Sequence, residues 1–254
     1  MAPEIDGIVL QDPGIRAQGF PSQPGPGQAQ QVPLRMPQAN PAIIAAAAAA
    51  QEYQQKHRQE SPSQGFVQKG WQTVVWAAHD DNDDDLLFSI YYRGEGEKTW
   101  RLLKDKIEQR FYSWDTGPMP DGAYILKIEA TDAPSNPPDE ALTTQRESDH
   151  FAVVNTPPTI QNLRADTADA EVHVRFEAHD ASSDIASAEY SVDAGDWMQA
   201  VPASGLTDSR QESYEIVLRN LAAGEHTIAV QVYDRYDNSV SSKVTFTVRP
   251  PAAH

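Results

Sequence analysis

The feature that most constrains this chain is an internal repeat. Trp76-Ala77-Ala78-His79-Asp80 returns as Phe176-Glu177-Ala178-His179-Asp180, 100 residues later. Gly122-Ala123-Tyr124-Ile125-Leu126-Lys127-Ile128 is matched by Gly224-Glu225-His226-Thr227-Ile228-Ala229-Val230 at an offset of 102. Those stretches run on to Asp132 with Asn136 and to Asp234 with Asn238. Two anchors in one order at nearly one spacing mean two copies of one fold, each of ordinary domain size. We place the copies at residues 66–156 and 157–250. Charge agrees with duplication: the stretch 66–156 has seventeen acids against nine bases, and 157–254 has fifteen against seven, a net of −8 in each.

Within each copy the apolar residues alternate, as half-buried strands require. Val74, Trp76 and Ala78 share one face, then Leu86, Phe88, Ile90 and Tyr92, then Tyr124, Leu126, Ile128 and Ala130. Gly94-Glu95-Gly96 and Pro120-Asp121-Gly122 supply turns. The alternation predicts strands at 71–79, 86–93, 98–103, 111–115, 123–131 and 149–154, with a matching set from 171 to 248. Short strands between Gly, Pro and Asp turns predict an all-β chain of two tandem antiparallel sandwiches.

The first 65 residues read differently. Ile5 to Leu10 is one short strand with no partner nearby, the tail of an upstream domain. Residues 21–41 form a Pro/Gln/Gly-rich linker that buries too little apolar surface to fold alone and is expected to be disordered. Asn40-Pro41 is a good N-cap and first helical position, so one isolated helix is expected over 41–58.

Composition excludes several classes. Zero cysteines remove disulfides, thiolate metal sites and cysteine nucleophiles. A net charge of −17 with no basic stripe argues against nucleic acid. The alanine run Ala45 to Ala50 is too short to span a bilayer, so no membrane insertion is expected. Met1-Ala2-Pro3-Glu4-Ile5 does not start a signal peptide; an export signal, if used, lies outside this sequence. There is no Gly-x-Ser-x-Gly, no His-Glu-x-x-His and no phosphate loop, so no enzyme is expected.

Residues WAAHDDNDDDLLFSIYYR and PDGAYILKIEATDAPSN, with FEAHD, AEYSVDAGDW and LAAGEHTIAVQVYDRYDN in the second copy, resemble bacterial fibronectin type III and related immunoglobulin-like modules. The tandem is similar to the C-terminal end of large exported proteins that carry a β-propeller-like region upstream. That resemblance implies two packed antiparallel sheets per copy, no catalysis, and an extracellular or cell-envelope location. It implies as partners the upstream domains of the same protein or another protein. The alternative is a carbohydrate-binding accessory module with a polysaccharide partner. Tyr124 resembles the tyrosine corner of such folds; His226 stands there in the second copy, where its shorter reach predicts a looser corner.

Three groups of residues are candidates for chemistry. No cofactor is required, but Asp80, Asn82, Asp84 and Asp132 form a candidate Ca²⁺ site, since hard cations want several oxygens from one or two loops. The competing reading is a solvated acidic loop, and Asp180, Asp184, Asp234 and Asp237 are the weaker counterparts. An EF-hand is rejected, because Asp85 replaces the required glycine and Tyr91 the bidentate acid. His79 and His179 recur at a strand end and are read as structural. Trp100, Trp197 and Trp76 have counterparts and are read as packing residues. Trp71 and Trp114 have none and are the carbohydrate candidates.

Overall fold

The computed structural model describes residues 1–17, 31–37, 64–168 and 171–249. The expected helix over 41–58 lies outside the described residues. Every regular element among the described residues is a strand: β1 (Glu4–Leu10), β2 (Ile15–Ala17), β3 (Gln31–Pro33), β4 (Gln64–Val67), β5 (Trp71–His79), β6 (Leu87–Gly94), β7 (Arg101–Ile107), β8 (Phe111–Asp115), β9 (Gly122–Thr131), β10 (Thr143–Glu147) and β11 (Phe151–Val153). The second copy supplies β12 (Thr159–Ala168), β13 (Glu171–His179), β14 (Ile185–Val192), β15 (Met198–Ala200), β16 (Gln211–Arg219), β17 (Gly224–Asp234) and β18 (Ser239–Val248). Two compact units result, Met1–Val153 and Val154–His254.

The second unit is the simpler. One sheet has the order β12-β13-β16 and the other β15-β14-β17-β18, all antiparallel. Alternation along β13 buries Val172, Val174, Phe176 and Ala178, which meet Ile228, Val230 and Val232 from β17. Phe176 stacks on Tyr214 at 4.7 Å between ring centroids. Seven strands divided three and four in this order give the fibronectin type III-like sandwich.

The first unit repeats it. Its sheets are β1-β5-β8 and β10-β9-β6-β7, with β11 on β9 continuing the edge that β10 begins. Trp76 lies edge-on to Phe88 at 5.2 Å inside the core.

Two expectations about the N-terminal region are corrected here. Ile5 to Leu10 is not a partnerless tail. Glu4 pairs with His79 and Ile5 with Ala78, just as Thr159 pairs with His179 and Ile160 with Ala178. A register shift follows in both strands, after Ile5 and after Gln161. β1 is therefore the first strand of the first sandwich, which begins well before residue 66. Residues 31–37 also leave the expected disordered linker. β3 and β2 flank β4 in a small sheet, and Ala17 and Leu34 bury Val75 on the face of β5 turned away from the main core. Thr73 Oγ1 donates to Ile15 O at 2.6 Å, and Gln72 Nε2 to Gln11 O at 2.7 Å. β5 is thus buried on both faces, which is why Gln72, Thr73, Val74, Val75 and Trp76 in succession are all inside.

Candidate metal centre

The acidic run splits as the loop between β5 and β6 turns. Asp83 takes a left-handed backbone (φ 59), and its N–H closes a turn onto Asp80 O at 3.0 Å. The Asn82 N–H donates to Asp80 Oδ1 at 2.8 Å. This turn drives Asp81, Asn82, Asp83 and Asp85 into water while Asp80 turns in and Asp84 is half-buried. Asp132 follows the end of β9 and is 2% exposed.

One ligand oxygen from each of Asp80, Asp84 and Asp132 lies within 4.8 Å of the others. Asn82 is exposed, and its backbone N–H is what ties it to Asp80. The left-handed turn at Asp83 departs from the extended loop in which alternate residues face inward together. Asn136 reaches the cluster from the second loop. Its Nδ2 donates to Asp84 Oδ2 at 3.0 Å and to Asp132 O at 3.2 Å, tying the two loops. The repeated Asp-x-x-x-Asn of Asp132/Asn136 and Asp234/Asn238 was the signal for it.

Charge compensation is incomplete. Asp132 Oδ1 accepts the Leu142 N–H at 2.6 Å, and Asp80 Oδ2 is buried with no hydrogen-bond partner. Among the described residues no lysine, arginine or histidine ion-pairs with any of the three carboxylates. Two unit charges 4.8 Å apart repel by about 1 kcal/mol in bulk water and about 3 kcal/mol at an effective dielectric of 20.

The second copy solves the same problem with a cation. Asp180 keeps the turn, its Oδ1 accepting from the Ser182 and Ser183 N–H groups at 2.7 and 2.8 Å, and its Oδ2 is again buried without a partner. Asp184, however, pairs with Arg235 at 3.4 Å; the first copy has Ala133 at that repeat position. Asp234 is fully buried, and its Oδ1 accepts the Tyr236 and Asn238 N–H groups. Burial pushes its carboxyl up, against its hydrogen bonds to Asn238 and Tyr236. Asp237 is exposed.

The other candidates find structural places. His79 Nδ1 meets Asp6 Oδ2 at 2.9 Å, clipping β5 to the extra residue at the irregularity of β1; His179 is exposed. Tyr124 Oη donates to Pro120 O at 2.8 Å. His226 Nε2 meets Ala222 O at the same 2.8 Å, so the second corner is as close as the first, and the expected loosening is absent. The reach missing from imidazole is not needed, since both bonds go to the carbonyl four residues back. Asp193 Oδ2 occupies the other ring nitrogen at 2.6 Å.

Trp114 is 5% exposed and packs edge-on to Phe151, while the Arg16 guanidinium covers Trp71 at 3.8 Å. Trp71 is opposite Asp115 and Trp114 opposite Gln72 across β5 and β8, which sets the two indoles on opposite faces of the sheet. They form no platform. Trp100 is covered by Arg93 at 4.4 Å and by Lys127. Trp197, expected to pack, is instead 48% exposed, because the repeat positions of those two cations are Asp193 and Ala229.

No family model and no curated protein matches the chain. Solved structures similar to it include the chicken CNTN1 FN1-FN3 domains (16% identity, 71% of this chain and 63% of that one, TM-score 0.35). The fibronectin(III)-like modules of Clostridium thermocellum CbhA are 15% identical over 73% of this chain and 91% of theirs, with a TM-score of 0.34. Dimeric latent PorU from Porphyromonas gingivalis is 13% identical over 72% of this chain and 22% of its own, with a TM-score of 0.30. The chain therefore spans less than two thirds of the first and of the last. Strand order and the internal repeat make the chain a tandem of fibronectin type III-like sandwiches.

Proposed function

We propose that this chain is a non-catalytic tandem that spaces or presents other domains of a larger exported bacterial protein, at the cell envelope or outside the cell. The observation that carries this reading is where the candidate tryptophans lie: Trp114 inside the core and Trp71 under Arg16, with no flat aromatic face between them. Alternating strands place their apolar residues in two separate cores, and each copy carries a net charge of −8. Calorimetry of the full chain tests the spacing role: two unfolding transitions are expected, one for each unit, and one transition shared by both would defeat it.

One observation favours the carbohydrate-binding reading. Trp197, Met198 and Val201 are 48%, 45% and 65% exposed around the short edge strand β15. An uncovered indole beside apolar neighbours is the kind of surface on which a sugar ring stacks. Affinity electrophoresis in cellulose, chitin and xylan decides between the two: retardation abolished by Trp197→Ala establishes the accessory module, and unretarded migration in all three supports the spacer.

A further inference from the structure

We propose that Asp80, Asp84 and Asp132 bind one calcium ion at the pole of the first sandwich, a site the spacing role neither requires nor supplies. Two independent observations carry it. The first is the convergence of three carboxylates from two loops, within 4.8 Å of one another. The second is the state of Asp80: only 9% exposed, with Oδ2 buried and unpartnered. A solvated acidic loop would turn these groups outward, as it does Asp81, Asn82, Asp83 and Asp85. Instead two of the three are more than nine-tenths inside, in a cluster that no ion pair reaches among the described residues, and burying an unpaired carboxylate costs several kcal/mol.

The donor set favours calcium. Calcium takes oxygens at about 2.3–2.6 Å, so ligands on opposite sides of it stand up to about 4.6–5.2 Å apart; around magnesium the span ends near 4.2 Å. All-oxygen donors from two loops, within 4.8 Å of one another, fit calcium's wider and less regular shell, whereas magnesium demands a near-octahedral one and gives up its water reluctantly. Three carboxylates leave room for water or carbonyl oxygens in its remaining positions, and neutralise it with one negative charge in excess. The site belongs to the first copy alone. Asp180 offers the same orphaned oxygen in the second, but Arg235 occupies the third carboxylate there. The duplicated module thus carries two answers to one crowded pole, a metal in one copy and a guanidinium in the other.

Isothermal titration of the metal-stripped full chain with CaCl₂ and with MgCl₂, in buffer containing potassium chloride, tests this. One calcium per chain is expected, with magnesium at least tenfold weaker. Asp84→Asn should weaken calcium at least tenfold, and Asp184→Asn should leave it unchanged. Thermal melts guard against a misfolded variant. In chelator, Asp84→Asn should melt at or above the wild-type midpoint, because a repulsion is gone, yet it should not respond to calcium. Absent heat together with identical wild-type midpoints in calcium and chelator would overturn the site. Undiminished binding by Asp84→Asn would do the same, and magnesium binding as tightly as calcium would overturn the choice of ion.

Discussion

Replacing Ile5 with alanine asks whether the first strand belongs to the first sandwich. Ile5 is 4% exposed and sits in the main core with Val74, Trp76 and Ala78. Truncating a buried isoleucine to alanine costs about 2–5 kcal/mol, the spread reflecting how far the site collapses. β1 is an edge strand and can shift inward, so the lower part of that range, about 2–3 kcal/mol, is expected. Two polar ties limit the shift: His79 to Asp6 at 2.9 Å, and Arg146 Nη1 donating to Ile5 O at 2.8 Å. Four of the five tryptophans (Trp71, Trp76, Trp100 and Trp114) lie in the first unit, so urea denaturation followed by tryptophan fluorescence reports mostly on that unit. A lower midpoint at unchanged slope is expected, since slope tracks exposed surface rather than stability. Leu206→Ala, at a side chain 67% exposed in the second unit, should move the melt by no more than about 0.5 kcal/mol. If Ile5→Ala matched that control, β1 would be a detached tail and the pairing with β5 wrong.

The histidines give pH tests. Burial lowers the His79 pKa, but the Asp6 bond and the charges of Asp6, Glu4 and Asp81 outweigh it, leaving the group above its ordinary value near 6.5. Its contribution to the first unit should be complete below about pH 6.5 and lost as pH rises through the folded pKa; Asp6→Asn should bring the NMR titration midpoint down. His226 is raised by its bond to Asp193, with Ala222 O next, and both partners accept only, which favours the doubly protonated ring. The second unit should lose that support over the same direction of pH. His226→Tyr should keep the melting temperature by donating to Ala222 O, whereas His226→Ala should lower it.

What could be read in advance followed local signals. β5 and β8 lie at the expected residues because their apolar residues end at glycine or aspartate. β7 begins three residues later than expected and runs to Ile107, since most of its side chains are exposed and alternation has little to mark. β10, Thr-Thr-Gln-Arg-Glu, is almost wholly polar and was invisible for the same reason. β1 was seen as a strand but not placed, because its partner starts some 60 residues away and alternation carries no information about pairing at that distance. At the candidate metal centre, residue type and pole were legible in Asp80, Asp84 and Asp132. The exposure of Asn82 was not, because it depends on the turn at Asp83. Trp197 shows the limit of arguing from repeats: the aromatic was duplicated and its two cationic covers were not.

The pairing of β1 with β5 also bears on how the two copies come into being. β12 and β13 are joined directly, so the second sandwich forms its opening hairpin as soon as both strands leave the ribosome. β1 must wait until Trp71–His79 has been made. At about 5–20 residues per second that is roughly 3–14 s, during which Ile5, Ile8 and Leu10 have no core to enter. Closing the longer loop also costs entropy before any contact rewards it, and non-local pairing slows folding. Two modules of one architecture therefore mature on different clocks, one of them dependent on a strand made some 60 residues before its partner.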